Sequence, residues 1–432
     1  MSGSSSTRRD FLRRTGISAG LAWGLPAFLP GRLFGADAPS KRLTLGVIGC
    51  GGQGSGDCAN FLSLPQVRVV AVCDADRAKA ETLKKKVDQI YDDTSCAVFQ
   101  DFREMLAQIK PDAVSTALPD HWHALAGILA MRAGCDVYGQ KPLTRTLREG
   151  RLLSDTARHL GRIYQTGSQQ RSDSRFRRAC ELVRNGRLGR IQRIDVAVVV
   201  RHRIASVPDY GPPPPASLDW DLWLGPAPAR PYSRTLATYH WRWVSDFGGG
   251  SLADWGAHHL DIALWSMNCD RSGPVTIIGS AEFPRQGLFD NPTHFNLTYL
   301  LPDGTPVHVV PGQDRETSNG ITWTGERGTL FVNRDTLTAT PAVILKNPLE
   351  PGDVRLPISN HHYRDFLNAV VTRREPIATV ELGHRTMSMV LLGEIACRTG
   401  RRLHWNPETE TLEGDPGASV LLGRANRQPW IF

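Results

Sequence analysis

The sequence predicts two folded domains: an α/β domain built on a parallel sheet, then an α+β domain with a large, mainly antiparallel open sheet. The first prediction rests on residues 41–166, where short β-branched runs alternate with amphipathic segments of helix length. The second rests on longer strand-like runs beyond residue 190, two of which are joined as a hairpin by Pro302, Asp303 and Gly304. A chain of 432 residues is long enough for two or three domains.

The predicted strands of the first domain are residues 43–48, 67–73, 112–118, 136–138 and 162–166. Helices such as 77–90 and 121–133 lie between them, and a helix at 174–185 leads into the second domain. That domain is expected to contain strands at 191–201, 275–283, 294–301, 307–310 and 329–332, closed by helices at 365–371 and 384–399. We therefore predict a leader at 1–40, a Rossmann dinucleotide-binding domain at 41–170, and a second domain at 171–432.

A glycine-rich turn follows the first strand and opens a helix-like segment at residues 55–62. Gly49, Gly51 and Gly54 form a G-x-G-x-x-G pattern, which in this setting indicates a dinucleotide site. Gly49 permits the tight turn, Gly51 lets the backbone approach a pyrophosphate, and Gly54 allows close packing of helix on strand. Gly52 and Gln53 begin the helix, whose N-terminal N–H groups favour phosphate. A glycine loop with a purely structural role is the alternative.

An acid at the end of the second strand indicates which dinucleotide binds. Asp74 follows Gly54 by twenty residues. A carboxylate there accepts hydrogen bonds from the ribose 2′-OH and repels a 2′-phosphate. The sequence therefore predicts NAD rather than NADP as the cofactor.

The N-terminus resembles a twin-arginine export signal. Residues 6–13 read Ser-Thr-Arg-Arg-Asp-Phe-Leu-Arg, an apolar stretch covers 16–29, and small residues near Ala36 and Ala38 suit a cleavage site. A membrane anchor is the alternative, but this stretch is shorter than the roughly 20 residues that a span needs. We therefore expect the twin-arginine translocation machinery as a partner and a periplasmic or otherwise exported mature protein.

The charge and the cysteine content argue against a nucleic-acid-binding protein and against a fold held together by disulfides. The formal charge is +8, of which five arginines and two aspartates in residues 1–40 carry +3. No block of Lys and Arg with interleaved aromatics remains, so we expect no nucleic-acid partner. The eight cysteines show no CxxC spacing, so most are predicted to be small buried residues rather than a disulfide framework.

Two segments after predicted strands face the expected cofactor crevice, because ligands of open α/β sheets bind beyond the carboxyl ends of the strands. The first runs from Pro119 to His123 and is predicted to contact cofactor or substrate; a helix start and a metal-binding His-x-His pair are alternatives, although no third ligand is near in sequence. The second contains Gln140 and Lys141. A lysine there could polarise a substrate hydroxyl and shuttle its proton, unless it is an ordinary surface lysine.

A third segment combines three glycines with an acid and a histidine. Gly248 to Gly250 precede Asp254 and His258, whose i,i+4 spacing puts them on one face if the segment is helical. A carboxylate beside an imidazole fixes its tautomer and raises its basicity, as a general base requires. A structural pair that caps a helix is the alternative.

Aromatic, imidazole and guanidinium side chains outside these segments are candidates for contacting a polar ligand. They are Arg171, Trp220, Tyr239, His240 and Arg242, most of them in an aromatic excursion at residues 211–243. Such groups suit sugar rings and hydroxyls, but they could equally pack the second domain.

Together these segments resemble the Gfo/Idh/MocA family of sugar and inositol oxidoreductases, from about residue 41 to 430. The family's lysine motif E-K-P falls on Lys141, and its G-G-x-x-x-D-x-G-x-H-x-x-D motif falls on Asp254 and His258. The T-P-x-x-x-H motif loosely matches residues 116–123. The pattern P-D-H-W-H, with residues 219–226 and 427–430, is similar to the exported branch.

The resemblance implies an NAD-dependent oxidation of a hydroxyl on a sugar, glycoside or cyclitol. His258 would be the acid–base group, Asp254 and Lys141 would assist it, and the second domain would bind substrate and form a homo-oligomer through its sheet. Because free NAD is scarce outside the cytoplasm, the cofactor would be tightly held and recycled. An NAD-dependent glycosidase that oxidises, eliminates and reduces is an alternative, as is a non-catalytic, NAD-loaded sugar-binding protein.

One position departs from the family pattern. The family glutamate before the lysine is Gln140 here. The lysine thus lacks an adjacent carboxylate, which would make it a better base or leave it more loosely positioned.

Overall fold

The computed structural model describes residues 42–200, 209–312 and 319–432. The export signal predicted in residues 1–40 lies outside the described residues. Residues 43–432 form one compact unit. Among the described residues, no helix has both the length and the apolarity needed to cross a membrane.

The first sheet is parallel and six-stranded, with the strand order β3-β2-β1-β4-β5-β6. Its strands are β1 Leu43–Ile48, β2 Val67–Cys73, β3 Ala97–Phe99, β4 Ala113–Thr116, β5 Asp136–Gly139 and β6 Tyr164–Thr166. All but β3 follow the prediction. Strand β3 has three residues, too few for a period of two to be detected. The predicted Rossmann-like parallel sheet is confirmed.

Helices alternate with these strands, and polar caps define where most of them begin. They are α1 Gly52–Leu62, α2 Arg77–Tyr91, α3 Phe102–Ile109, α4 Asp120–Arg132, α5 Leu147–His159 and α6 Ser174–Arg184. Asp76, Asp101 and Asp173 each accept a hydrogen bond from a first-turn N–H group. Thr146 and Glu149 form a capping box at α5. Helix α1 has no side-chain cap, so its N-terminus is free to meet a ligand.

The second sheet has nine strands in the order β13-β12-β11-β7-β10-β9-β8-β14-β15. They are β7 Ile191–Val198, β8 Thr276–Glu282, β9 His294–Leu300, β10 Pro306–Pro311, β11 Gly320–Gly325, β12 Gly328–Val332, β13 Leu337–Thr340, β14 Leu403–Asn406 and β15 Thr411–Leu412. Of the described pairs, only β7 with β10 is parallel. The mainly antiparallel sheet is therefore confirmed, as is the hairpin of β9 and β10. Strands β11, β13, β14 and β15 were not predicted.

The helices of the second half of the chain pack in part on this sheet and in part on the first domain. They are α7 Trp220–Leu224, α8 Gly250–Asp254, α9 Gly256–Ser266, α10 Val343–Lys346, α11 His362–Thr372, α12 Val380–Thr399 and α13 Pro416–Ser419. Helix α12 packs on β8 and α9 of the second domain and also on α5 of the first. Sheet residues such as Tyr299 and Trp323 are fully buried under this layer. The two domains therefore share one continuous core.

The cysteines agree with the sequence prediction. All eight lie in described residues and all are free thiols. Seven are buried, and only Cys269 is partly exposed. They act as small core residues rather than as covalent cross-links.

Candidate active site

A cavity of about 630 Å³ lies where four neighbouring strands of the first sheet end. Its walls come from the segments that follow β1, β2, β4 and β5, at residues 49–53, 74–75, 117–120 and 140–142. The opposite wall comes from Trp223 and from Ala237, Thr238, Tyr239, Trp241 and Arg242. The cavity is therefore at the carboxyl edge of the parallel sheet, where the sequence predicts the ligand.

The glycine loop has two tight positions and two open ones. Gly49 has a φ of +92°, and a Cβ at Gly54 would lie 1.8 Å from the carbonyl oxygen of Gly49. A Cβ at Gly51 or Gly52 would meet nothing within 4 Å. Gly49 and Gly54 therefore allow the turn and the close packing of α1 on β1, while Gly51 and Gly52 leave space for a ligand at the start of α1. This arrangement fits a dinucleotide pyrophosphate.

Replacing Gly54 with alanine should disrupt this loop. Because the new Cβ meets backbone rather than a flexible side chain, we expect the free energy of unfolding to fall by about 2 kcal/mol and bound nucleotide to be lost. Gly56→Ala is the matched control, since Gly56 is exposed in the same helix and its Cβ would meet nothing within 4 Å. The free energy of unfolding of that variant should rise by about 0.5–1 kcal/mol. Chemical denaturation and nucleotide content measure both; equal effects would contradict this assignment.

Asp74 is held by the backbone at the end of β2. Its carboxylate accepts hydrogen bonds from the N–H groups of Cys50 at 2.7 Å and Asp76 at 2.9 Å. Burial raises the pKa of this carboxyl, and the two hydrogen bonds oppose that effect. Both oxygens are fixed and still have free lone pairs, so the carboxylate fits a ribose diol. Lys79 also lines this end of the cavity.

Residues 209–247, termed here the covering segment, lie across this end of the cavity. The N–H of Arg77 donates to the carbonyl of Ser217, and the N–H of Asp219 donates to that of Ala75, both at 2.9 Å. The Gln100 side chain donates to the carbonyls of Ala75 and Ser217. The covering segment is therefore fastened directly to the loop that follows β2.

Lys141 forms an ion pair with Asp254 at the other end. Its Nζ lies 2.8 Å from Oδ1 and 2.9 Å from the main-chain carbonyl of Asp254. The Tyr239 hydroxyl donates to the second carboxylate oxygen at 3.3 Å, and Arg242 lies 3.9 Å away. Burial would raise the pKa of Asp254, but the two cations outweigh it and hold that pKa below its ordinary value. Lys141 and Asp254 were both predicted, but not as partners of each other.

His258 does not have the expected carboxylate partner. Helix α8 ends at Asp254 and α9 begins at Gly256, so the i,i+4 pair spans an interrupted helix, and Asp254 bonds to Lys141 instead. His258 is 5% exposed, its Nδ1 has no hydrogen-bond partner, and it is not among the residues that line the cavity. Burial, and then Lys141, lower its pKa well below the ordinary value. The imidazole of His258 is therefore neutral. The acid–base role that the resemblance implies for it stays a prediction.

Gln140 bonds to a buried carboxylate that the sequence analysis did not single out. Its Nε2 donates to both oxygens of Asp57, at 3.0 and 2.8 Å. Gln53 and Tyr363 each donate to the same carboxylate at 2.8 Å. Burial raises the pKa of Asp57 to about 6, and these hydrogen bonds oppose the shift. Gln140 thus contacts a carboxylate that comes from α1. A buried acid on a helix face gives no distinctive signal in sequence.

The predicted segment from Pro119 to His123 divides between cavity and core. Pro119 lines the cavity, as does Asp120, which belongs to the same predicted segment but was not singled out within it. His123 is buried, with Nδ1 2.5 Å from the carbonyl of Pro142, so it fastens α4 to the lysine segment. The Nε2 of His121 lies 3.2 Å from the carbonyl of Trp223. The two imidazoles therefore contact different backbone carbonyls.

Two of the five substrate candidates line the cavity, and three do not. Tyr239 and Arg242 do, and the Arg242 guanidinium lies 4.0 Å from the centre of the Tyr239 ring. His240 is exposed outside the lining. Trp220 stacks on Trp223 and donates its N–H to the carbonyl of Arg230. These two contribute to the covering segment rather than to the cavity wall.

Arg171 lies in the core. It donates to both oxygens of Asp261 and lies 3.1 Å from Asp270, with its guanidinium over the ring of Trp265. It is fully buried by these contacts, so its position does not support substrate contact. A buried structural arginine and a ligand-binding arginine are identical in sequence, because the two differ only in their tertiary partners.

The aromatic wall was missed in part. Trp122, Trp223 and Trp241 line the cavity. Trp122 lies in the predicted segment 119–123, whereas for Trp223 and Trp241 the composition of residues 211–243 indicated the region but not the individual residues. Their planar faces, next to the hydrogen-bonding groups of Tyr239 and Arg242, suit a ligand with both apolar and hydroxylated surfaces.

Comparison with known proteins agrees with this architecture. A family model described as the oxidoreductase family, NAD-binding Rossmann fold, matches residues 43–168. A second, the oxidoreductase family, C-terminal alpha/beta domain, matches residues 210–432. The crystal structure of an aldose-aldose oxidoreductase from Caulobacter crescentus complexed with glycerol superposes with a TM-score of 0.63, covering 84% of this chain and 99% of that one at 20% identity. This similarity establishes the shared fold.

Two curated proteins are similar in sequence. The D-glucoside 3-dehydrogenase of Escherichia coli (strain K12) is 29% identical over 229 residues, 53% of this chain and 55% of that protein. A glycosyl hydrolase family 109 protein of Solibacter usitatus (strain Ellin6076) is 29% identical over 154 residues, 33% of this chain and 34% of that protein. The chain spans about half of the first relative and a third of the second.

Proposed function

The chain belongs to the Gfo/Idh/MocA oxidoreductase family, and from this premise we propose that it is an NAD-dependent oxidoreductase acting on a hydroxyl of a sugar, glycoside or cyclitol. The main support is that one cavity is lined by the glycine loop and Asp74 at one end and by Lys141, which forms an ion pair with Asp254, at the other. The first set fits a dinucleotide, and the second fits a reacting hydroxyl.

The chemistry divides between cofactor and chain. When bound, NAD supplies a hydride acceptor. The chain holds the pyrophosphate at the start of α1 and the ribose at Asp74. Lys141, positioned by its ion pair with Asp254, would donate a hydrogen bond to the oxygen of the reacting hydroxyl and stabilise negative charge that develops there. The aromatic wall excludes water from the sugar face opposite.

We further propose that the cofactor is tightly held and recycled in place. The covering segment supports this, because its hydrogen bonds to Ala75 and Arg77 fasten it to the loop that carries Asp74. Export through the twin-arginine machinery and association through the nine-stranded sheet belong to the same proposal and rest on the sequence.

A redox-neutral glycosidase is the second candidate, favoured by the similarity to a glycosyl hydrolase family 109 protein. In that reaction, oxidation of one carbon acidifies its neighbour, the glycosidic bond is eliminated, water adds, and the hydride returns. The same cavity would serve both reactions. A sugar-binding protein without catalysis would have no use for the ion pair of Lys141 and Asp254.

Three measurements test these proposals. Purified protein, denatured without added nucleotide, should release about one NAD per chain, identified by mass. Intact protein mixed with methyl D-glucosides or myo-inositol should then develop the absorbance of bound NADH, and a second sugar added as oxidant should discharge it. Release of aglycone from an aryl glucoside with no net NADH would favour the glycosidase. Protein that carries no NAD, and reduces none when it is added, would contradict both proposals.

A further inference from the structure

The carboxylate of Asp57 joins three segments that are far apart in the sequence. Asp57 lies in α1 and is fully buried. Its Oδ1 accepts hydrogen bonds at 2.8 Å from Gln53, one turn earlier in α1, and from Tyr363 in α11. Its Oδ2 accepts from the amide of Gln140, which follows β5, at 2.8 Å, and the same amide lies 3.0 Å from Oδ1. A buried carboxylate needs such donors, so Asp57 fixes how these segments meet.

The side chain of Gln140 has little freedom to take another position. It is buried, and a Cβ on Gly167 would lie 2.6 Å from its Oε1, which shows how closely the amide packs there. Its main-chain N–H donates to the carbonyl of Thr116 at 2.9 Å. Turning the amide round would point Oε1 at the carboxylate of Asp57, and two acceptors repel each other. Both the place and the orientation of the amide therefore follow from Asp57.

Lys141 lies between two residues that are held from different directions. Gln140, directly before it, is bonded to Asp57 of α1. The carbonyl of Pro142, directly after it, lies 2.5 Å from Nδ1 of His123 in α4. From this short piece of backbone the side chain of Lys141 reaches the cavity. The position of its ammonium thus depends on the contact between Gln140 and Asp57.

We propose that Asp57 is a positioning residue for Lys141. Through Gln140 it holds the backbone from which the ammonium would reach the oxygen of the reacting hydroxyl. This inference rests on the proposed function, which gives Lys141 that task. Asp57 does not touch the substrate itself, because it is fully buried and is not among the residues that line the cavity.

The carboxylate of Asp57 is ionised at pH 8, where the proposal is best tested. Burial raises its pKa to about 6, and its hydrogen bonds and the charge of Lys141 oppose that shift. Tyr138 and Tyr363 face it from neighbouring elements, and Cys58 lies beside it in α1. All three are neutral, because burial raises their pKa values. Asp57 is therefore an anion that accepts hydrogen bonds and faces one cation, Lys141, among these groups.

Asp57→Asn disturbs the contact with Gln140 selectively. An asparagine that keeps Oδ1 in place still accepts from Gln53 and Tyr363, while its amide nitrogen faces the amide nitrogen of Gln140, donor against donor. With methyl β-D-glucoside or myo-inositol at pH 8, the variant should keep about one NAD per chain. It should form NADH about 10–10²-fold more slowly at saturating substrate, because a reacting group displaced by about 1 Å has such an effect. The half-saturating concentration should change less than about threefold.

Two combined variants distinguish positioning from a general structural role. Added to Lys141→Met, Asp57→Asn should slow hydride transfer by less than about a further twofold, because the group that it positions is already absent. The exchange variant Asp57→Asn/Gln140→Glu again places a donor against an acceptor and should recover most of the lost rate. Asn60→Ala is the matched control, since Asn60 is exposed in the same helix, and this variant should keep the wild-type rate.

Crystal structures give a readout that does not depend on turnover. Residues 140–142 should be displaced in Asp57→Asn and should return to the wild-type position in the exchange variant. Unchanged positions in Asp57→Asn would overturn the proposal, whether or not the protein oxidises any of the probes. A wild type that holds no NAD and oxidises none of them overturns the proposed function instead.

The kinetic outcomes are equally decisive. The proposal is overturned if Asp57→Asn keeps the wild-type rate, or if it slows Lys141→Met as much as it slows the wild type. A folded exchange variant no faster than Asp57→Asn also overturns it. If Asp57→Asn does not fold, Gln140→Leu removes the same contact from the other side, and a wild-type rate in that variant has the same meaning.

Discussion

Replacing Lys141 with methionine is expected to slow hydride transfer from a glucoside to bound NAD by about 10³-fold. Lys141 lines the cavity and forms an ion pair with Asp254, and in such a partly buried site a hydrogen bond to developing charge is strong. Methionine has a similar length but donates nothing. Stopped-flow absorbance of NADH measures the rate, and the nucleotide content of the variant should equal that of wild type.

A loss of stability must be separated from this loss of rate. Removing Lys141 leaves a buried carboxylate with only Tyr239 and Arg242, so Lys141→Met should also reduce the free energy of unfolding by about 2 kcal/mol. The double variant Lys141→Met/Asp254→Asn should recover that stability but not the rate. Lys346→Met, an exposed lysine in α10, is the control and should change neither. Recovery of turnover in the double variant would contradict a role for Lys141 at the reacting oxygen.

Replacing Gln140 with glutamate is expected to destabilise the protein by about 2–4 kcal/mol at pH 8, the cost of raising a carboxyl pKa by about 2–3 units. Glutamate would restore the family motif, but here it would put a second carboxylate against Asp57. Asp57 is fully buried and already has its pKa raised to about 6, and the hydrogen bonds of Gln140 that now oppose this shift would be lost. Guanidinium denaturation at two pH values measures the effect.

The pH dependence of this effect has a definite sign. Carboxyl groups with raised folded pKa values stabilise the fold at low pH, and the contribution is lost as the pH rises. Gln140→Glu should therefore be close to wild type near pH 5 and far less stable at pH 8. The double variant Asp57→Asn/Gln140→Glu, which exchanges acid and amide, should recover most of the loss. Gln53→Glu is the matched control. It places a second carboxylate next to Asp57 from an exposed side chain. It should lower the free energy of unfolding by less than about 1 kcal/mol.

An equally large loss of stability from Gln53→Glu would show that the loss comes from local effects on the helix rather than from repulsion between carboxylates in a buried site. A double variant no more stable than Gln140→Glu would show that Asp57 and Gln140 are not an exchangeable pair. Either result would contradict the view that the contact between Asp57 and Gln140 governs this effect.

Local sequence patterns were sufficient to predict the first domain and the carboxyl edge of its sheet, where the cavity lies. Strands β1 and β2 have the predicted bounds, and the glycine loop and Asp74 lie where strand–turn–helix order implies. These features depend on neighbours in sequence: a period of two in a strand, a positive φ at Gly49, and an acid at a strand end. The short strands β3, β13, β14 and β15 were missed because two to four residues carry little periodicity, and the interior strand β11 was missed although it has six residues.

The hydrogen bonds and ion pairs within the site join segments that are distant in the sequence. Lys141 and Asp254 are 113 residues apart, and Gln140 and Asp57 are 83 apart. The sequence indicated Lys141, Asp254 and His258, yet it paired Asp254 with His258, because spacing along a helix was the only available guide. Arg171 was selected for its chemistry and is buried in a structural ion pair.

By itself, the sequence determined the fold class, the nucleotide edge and the residue types that bring chemistry to it, because these follow from local periodicity and from motifs contiguous in the chain. Tertiary structure alone decided which carboxylate meets which cation. It placed Asp254 on Lys141, and it brought Asp57 into contact with Gln140. The physical reason is that burial and charge at one point are set by several segments converging there, and no single stretch of sequence records that convergence.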